Sequence, residues 1–105
     1  MTEVFEKSTH YLTVDFFDKT GAAATPSAVT YRVDCLTTGN VVVSDTAVSA
    51  ASSVEVTLSP TANSMQGANN LRESRRVTVI AQYGGTGDQA VGTFDYSVRN
   101  VGGIT

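Results

Sequence analysis

The longest strand-like segment of the chain is the run 75–83, in which apolar and other residues alternate. Alternate residues of this run share one face: Val77, Val79, Ala81 and Tyr83. A second alternating run follows at 91–99, after a stretch rich in glycine. A period of two residues is typical of a half-buried strand. The two runs therefore predict a central β-hairpin with residues 84–87 at its tip.

The same alternation predicts shorter strands elsewhere, separated by turns that contain glycine, proline or asparagine. In chain order, the predicted strands are 11–18, 28–36, 41–45, 54–58, 77–83 and 91–99, with a seventh either near Val48 or at Val4 and Phe5. Short strands at this spacing are typical of two packed sheets. We therefore predict an all-β fold, an immunoglobulin-like antiparallel β-sandwich of about seven strands.

A chain of 105 residues has the length of one domain. Residues 1–9 show no clear period and are interpreted as an N-terminal arm, followed by the β-sandwich domain at 10–101. Residues 102–105 are interpreted as a short C-terminal tail. The valines at 41–43 predict a strand that is buried on both faces or that changes sheet.

The longest stretch without a period is 60–74, where residues 61–65 have the pattern of one helical turn capped by Thr61 or Ser59. Loops of more than about 12 residues are often functional. This loop is therefore the first candidate for contact with a partner, and Met65 is the candidate contact residue within it. The alternative is a plain crossover between two sheets.

Composition and charge exclude several classes of function. The net charge is −3, with seven Lys and Arg residues in all, whereas nucleic-acid binding needs a basic surface. No apolar run approaches the ~20 residues of a membrane span. The N-terminus lacks the apolar segment of a signal peptide. The sequence thus predicts folding in a cytoplasm, with neither nucleic acid nor membrane as a partner.

No residue pattern indicates catalysis, a cofactor or a metal. Cys35 is the one cysteine and His10 the one histidine, which is too few for a structural zinc site or an internal disulfide. Cys35 is predicted to be a small buried hydrophobe. The glycines at 84–87 precede a strand rather than a helix, so they lack the features of a phosphate loop. We expect no enzymatic activity.

The densest charge cluster consists of Arg72, Glu73, Arg75 and Arg76. One interpretation is a basic lip that contacts an acidic partner, because Arg is enriched at interfaces. The alternative is a solvated strand end with a local ion pair. Arg75 has the inward phase of its strand, so it is also a candidate to cap the end of the sandwich.

Apolar side chains outside the predicted core are further candidates for an interface. Tyr11 and Phe17 lie on the outward phase of their strand, and Phe5 lies in the arm. Exposed apolar patches often mark binding surfaces. Core positions are predicted for Leu12, Phe16, Tyr31, Tyr83, Phe94 and Tyr96. The candidate partner-binding residues are therefore Phe5, Tyr11, Phe17, Met65, Arg72, Arg75 and Arg76.

Four stretches carry a family resemblance: YLTVDF at 11–16, VTYRVD at 29–34, RRVTV at 75–79 and FDYSVRNV at 94–101. With these strands, the chain resembles the small proteins of about a hundred residues encoded among the virion genes of tailed bacteriophages. The resemblance implies an immunoglobulin-like or fibronectin type III-like sandwich. It supplies no catalytic residue.

The resemblance implies a structural or accessory virion protein that assembles in the bacterial cytoplasm, either decorating the capsid or belonging to the head–tail connection. Its partners would be capsid, neck or tail proteins, with several copies in each particle. The alternative function is a carbohydrate- or host-surface-binding module. That alternative needs a patch of exposed aromatics, which a chain without tryptophan is poorly equipped to provide.

Overall fold

The computed structural model describes residues 2–17, 20–67, 70–84 and 88–100, and within these ranges it is all-β without helices. The strands are β1 (Thr2–Phe5), β2 (His10–Asp15), β3 (Ala28–Cys35), β4 (Val41–Val48), β5 (Ser53–Leu58), β6 (Arg72–Tyr83) and β7 (Asp88–Arg99). The predicted all-β fold of about seven strands is confirmed. The predicted tail at 102–105 and the residues 85–87 of the hairpin tip lie outside the described residues.

The strands form two sheets. The large sheet has the order β1-β7-β6-β3-β4, and the small sheet consists of β2 and β5. The order β7-β6-β3-β4 opposite β2-β5 is that of an immunoglobulin-type sandwich. β1 runs parallel to β7, whereas the other pairs are antiparallel. The large sheet is therefore mixed, and the prediction of a wholly antiparallel sandwich is wrong for this pair.

The predicted central hairpin is confirmed as β6 and β7. These strands have 12 residues each and pair continuously from Arg72↔Arg99 to Tyr83↔Asp88. β6 begins at Arg72, five residues before the predicted strand 77–83. Residues 72–74 consequently belong to the sheet, and the preceding loop is shorter than predicted.

The core lies between the sheets and follows the predicted alternation. β5 contributes Val54, Val56 and Leu58, all buried. β6 contributes Val77, Val79 and Ala81. Tyr96 and Phe16 are buried, and the other aromatics predicted for the core are half-buried against it. Cys35 is buried, as predicted.

Two segments differ from their sequence patterns. The residues predicted as an arm include β1, whose Val4 is buried in the core. β4 is longer than predicted and lies at the edge of the large sheet. Because β4 has only β3 beside it, Val41 is 52% exposed. Neither predicted alternative for the valines 41–43, burial on both faces or a change of sheet, is therefore correct.

Candidate partner-binding site

An ion pair between Glu73 and Arg75 lies under one end of the sandwich. Both residues are on the inward face of β6, two positions apart, and both side chains are 0% exposed. Arg75 Nη2 donates to Glu73 Oε1 at 2.7 Å. The inward phase predicted for Arg75 thus places it under the surface, capping the sandwich, and removes it from direct contact with a partner.

The Glu73 carboxylate organises the second half of the loop that precedes β6. It accepts hydrogen bonds from the Gln66 N–H at 2.8 Å, the Gly67 N–H at 2.7 Å and Asn70 Nδ2 at 2.9 Å. A Cβ at Gly67 would lie 2.7 Å from Asn70 Nδ2, so a side chain there would displace the Asn70 amide. The carboxylate thereby satisfies backbone donors that have no place in a sheet.

Burial by itself would raise the pKa of the Glu73 carboxyl. Hydrogen bonds from the Gln66 N–H, Arg75, Asn70 and the Gly67 N–H outweigh burial and lower this pKa from 4.5 to about 2. The carboxylate is therefore ionised throughout the neutral range, and its charge is fully paired.

The Arg75 guanidinium organises the first half of the same loop. Nη1 donates to the Ala62 carbonyl and Nη2 to the Ser64 carbonyl, both at 2.7 Å. Arg75 Nε is buried without a hydrogen-bond partner among the described residues. The ion pair as a whole supplies acceptors for one half of the loop and donors for the other.

The loop begins with a single turn, in which Ser59 Oγ accepts from the Ala62 N–H at 3.2 Å. Of the two predicted caps, the structure thus selects Ser59. The turn positions Asn63, which is 0% exposed. Asn63 Oδ1 accepts from the Tyr96 hydroxyl at 2.9 Å, and Asn63 Nδ2 donates to the Ser8 carbonyl at 2.8 Å. Burial raises the pKa of the Tyr96 hydroxyl, so it remains a donor.

Asn63 also ties the loop to the segment after β1. The Lys7 N–H donates to the Asn63 carbonyl at 2.9 Å, and Lys7 has a φ of 59°. A lysine in this left-handed region is held there by its surroundings. Asn63 therefore joins the loop to β7 through a buried hydrogen bond, and to the segment after β1 through a part-buried hydrogen bond to Ser8 and the hydrogen bond from Lys7.

Five residues form a surface above this network, which we name the terminal patch: Glu3, Phe5, Leu71, Arg72 and Arg99. Phe5 pairs with Arg99 across β1 and β7, and Arg99 pairs with Arg72 across β7 and β6. Directly paired residues share a face of a sheet, so these three form one row on the outer face. Leu71 immediately precedes the row.

The terminal patch combines apolar area with a small excess of positive charge. Phe5 is 57% exposed and Leu71 is 80% exposed. Glu3 accepts from Arg72 at 2.8 Å and lies 3.6 Å from Arg99. One carboxylate thus pairs with two guanidinium groups. Leu71, Arg72, Arg99 and Asn100 line a surface depression of about 340 Å³.

The structure therefore brings together Phe5 and Arg72 of the predicted partner-binding residues. Tyr11 and Phe17 are exposed as their phase indicates, but they lie in and beyond β2 on the other sheet. Met65 is half-buried and packs against the core.

Arg76 lies on the outer face of the large sheet, where it pairs with Asp95 at 2.8 Å. Arg32 and Asp34 form a second ion pair at 2.9 Å on the same sheet. Both pairs are partly exposed, and such pairs contribute only about 0–1 kcal/mol.

Sequence reasoning missed Glu3, Leu71 and Arg99 as members of a surface, because only the strand register brings them together. It also assigned Glu73 only to the charge cluster, as part of a basic lip or of a solvated strand end with a local ion pair. A signal was present, since Glu73 and Arg75 have opposite charges and the same inward phase. Asn63 offers no such signal, because it lies in a segment without a period.

Neither a metal-binding group of side chains nor a membrane-spanning helix occurs in the described parts of the chain. Among those residues, no three His, Cys, Asp or Glu side chains are grouped so that they could hold a metal ion. The described residues also contain no helix with the length and apolarity that a membrane crossing requires.

The first prediction concerns the charge of Glu73. In Glu73→Gln, an amide group faces the donors of Gly67 and Asn70, and Arg75 keeps a buried charge without a counterion. We expect the free energy of unfolding to fall by about 3–5 kcal/mol, measured by urea denaturation. The control Asp95→Asn makes the same chemical change in the exposed pair with Arg76 and should cost about 0–1 kcal/mol. Equal losses in the two variants would contradict the role of the buried pair.

The second prediction concerns pH. The pKa of Glu73 is about 2 in the folded chain and 4.5 ordinarily. Between these values the unfolded chain binds more protons, so stability rises with pH. The stabilisation, about 3 kcal/mol, is complete above pH 4.5 and is lost as the pH falls towards 2.

Urea denaturation at several pH values between about 2 and 7 tests this window. We expect the acid-induced loss of stability to be smaller in Glu73→Gln than in the natural chain. The pKa of Asp95 is also lowered, by its hydrogen bond from Arg76. Asp95→Asn is therefore the matched control. It should still lose the stability that depends on Glu73 as the pH falls, because it leaves Glu73 unchanged. An unchanged pH profile in Glu73→Gln would refute the assignment.

Comparisons of this chain with protein-family models, with curated proteins and with solved structures found no match.

Proposed function

We propose that this protein is a non-enzymatic structural or accessory component of a tailed-bacteriophage virion, and that it binds other virion proteins through the terminal patch. The sequence resemblance of four strands to small phage virion proteins supports the virion role. The terminal patch supports a role in binding a protein. A capsid, neck or tail protein is the proposed partner, with several copies of the chain in each particle.

The main support for the binding role is that Phe5 and Leu71 are exposed close to backbone that the buried hydrogen-bond network keeps in one conformation. Aromatic side chains and arginines are enriched at protein interfaces, and the fully buried centre of an interface is its more apolar part. The buried ion pair of Glu73 and Arg75 fixes the loop that leads to Leu71, and Arg72 is the first residue of β6. A surface that is already ordered loses little conformational entropy when it binds.

The composition of the terminal patch defines the kind of partner surface. Phe5 and Leu71 require an apolar depression, because their exposed area is buried only against other apolar groups. Arg72 and Arg99 outnumber the single carboxylate of Glu3, so acidic groups at the rim of that depression would complement the patch. A folded virion protein with an acidic rim meets both requirements.

The third prediction tests this role with the double variant Phe5→Ser and Leu71→Ser. Both side chains are largely exposed, so we expect thermal unfolding to change little. Incorporation into particles of the phage that encodes the chain should fall at least about tenfold, which corresponds to ~1.4 kcal/mol of binding free energy. Quantitative mass spectrometry of purified particles measures the copy number.

Val91→Ser is the matched control. Val91 is 58% exposed, close to the 57% of Phe5, and lies towards the opposite end of β7. Its substitution should leave the copy number unchanged. Full incorporation of the double variant would reject the terminal patch as the binding surface. Absence of the natural chain from purified particles would reject the virion role itself.

A further inference from the structure

A second surface feature lies on the other side of the hairpin, between the two sheets. It is a cleft of about 250 Å³ between β2 and β7. Leu12 and Val14 of β2 form one wall, and Val79 and Phe94 contribute apolar surface from the large sheet. The cleft is separate from the terminal patch, since the two have no lining residue in common.

Both strands beside the cleft have an edge without a strand partner among the described residues. β2 pairs only with β5, which leaves the other edge of residues 10–15 open. β1 lies along one edge of β7 but pairs with it only at Tyr96 to Arg99. The rest of that edge of β7, at residues 88–95, is therefore open. An open edge presents backbone N–H and C=O groups that pair readily with an added strand. The open edge of β2 extends about 20 Å and that of β7 about 26 Å.

Gly92 leaves a gap in the floor of the cleft. It pairs with the buried Val79 across β6 and β7, so it faces the inside of the sandwich. A Cβ built at Gly92 would meet nothing within 4 Å. An apolar side chain from an added strand therefore has space above Gly92, beside Leu12, Val14 and Phe94.

Charge further defines what fits the cleft. Asp15 lines it, and Asp15 has no ion-pair partner among the residues that the structure describes. The other lining residues carry no charge. A Lys or Arg in the occupant would complement Asp15. A second copy of this chain suits the cleft less well, because its net charge is −3 and its own Asp15 would be brought near.

We propose that the cleft binds an extended segment of a partner protein by strand addition. The segment has apolar side chains at alternate positions and a Lys or Arg near the end that meets Asp15. Backbone hydrogen bonds to β2 or β7 provide affinity, and the alternate side chains provide specificity. The inference does not depend on the virion role, because it rests on different residues from the terminal patch.

The fourth prediction uses a defined probe, the peptide acetyl-Lys-Val-Thr-Val-Thr-Val-Lys-amide. Titrated into the full chain, it should shift the backbone amide NMR signals of residues 10–15 and 88–95. The same peptide with alternate backbone amides N-methylated cannot complete a strand ladder and should not bind. A peptide with Glu in place of both Lys residues should bind the natural chain several-fold more weakly. The original peptide with Lys should likewise bind the Asp15→Asn variant several-fold more weakly.

Gly92→Leu tests the cleft from the side of the protein. Its side chain occupies the gap, so peptide binding should weaken at least about tenfold while thermal stability is retained or increased. Val41→Leu is the control, because it adds bulk at an exposed position of β4, which forms the far edge of the large sheet and lies outside the proposed binding strands. Its binding should equal that of the natural chain.

Four results of the peptide titrations would overturn the proposal. They are no amide shifts at about 1 mM peptide, equal binding of the N-methylated peptide, shifts confined to β4 or β5, and unchanged binding in a folded Gly92→Leu. Concentration-dependent dimerisation without peptide, abolished by Gly92→Leu, would also overturn it by assigning the cleft to a second copy of the chain.

Discussion

The buried ion pair of Glu73 and Arg75 is the interaction on which the organisation of this sandwich depends. Moving two charges out of water costs several kcal/mol for each ion, and their mutual attraction offsets this only when further hydrogen bonds complete both groups. Here the loop before β6 provides those bonds through two backbone N–H groups, one side-chain amide and two carbonyls. Within the described part of the loop itself, the backbone groups make few hydrogen bonds with one another. The ion pair and the loop conformation therefore require each other.

This mutual requirement explains how a stretch without periodicity acquires one conformation. Irregular backbone must find hydrogen-bond partners that a sheet would otherwise provide. β6 brings Glu73 and Arg75 to the loop on the same strand that carries Val77, Val79 and Ala81 into the core. Packing of the core thereby fixes the positions of the charges. The packed core thus determines the conformation of the loop at the end of the sandwich, and that loop supports the terminal patch.

The sequence predicts those parts of the fold that depend on local alternation. The strand pattern at 54–58 and at 77–83 identifies the buried residues of β5 and β6, and the inward phase of Arg75 is visible in the same pattern. The pattern does not establish β1, because a four-residue strand has too few positions to show a period. Its parallel partner, β7, lies more than 90 positions away in the chain. The valines of β4 misled for a related reason, since a continuous apolar run does not reveal whether a strand is central or at an edge.

For the candidate site, the sequence indicates individual residues but not the surface that they form together. Phe5 and Arg72 stand out by residue type, but nothing local places them in one row with Arg99. That row follows from two strand registers, which the packing of the whole sandwich determines. The inward position of Glu73 could have been read from its spacing to Arg75, whereas the link from Asn63 to Tyr96 and Ser8 is purely tertiary.

The two proposed surfaces differ in what binding demands of the molecule. At the terminal patch the backbone is already hydrogen-bonded from beneath, so affinity must come from side-chain burial and charge on a fixed surface. At the cleft, β2 and β7 each have an open edge, and the gap above Gly92 lacks packing atoms. An occupant there completes the sheet and the core together, so its backbone conformation matters as much as its side chains. A folded neighbour would fit the first surface, and an extended segment would fit the second.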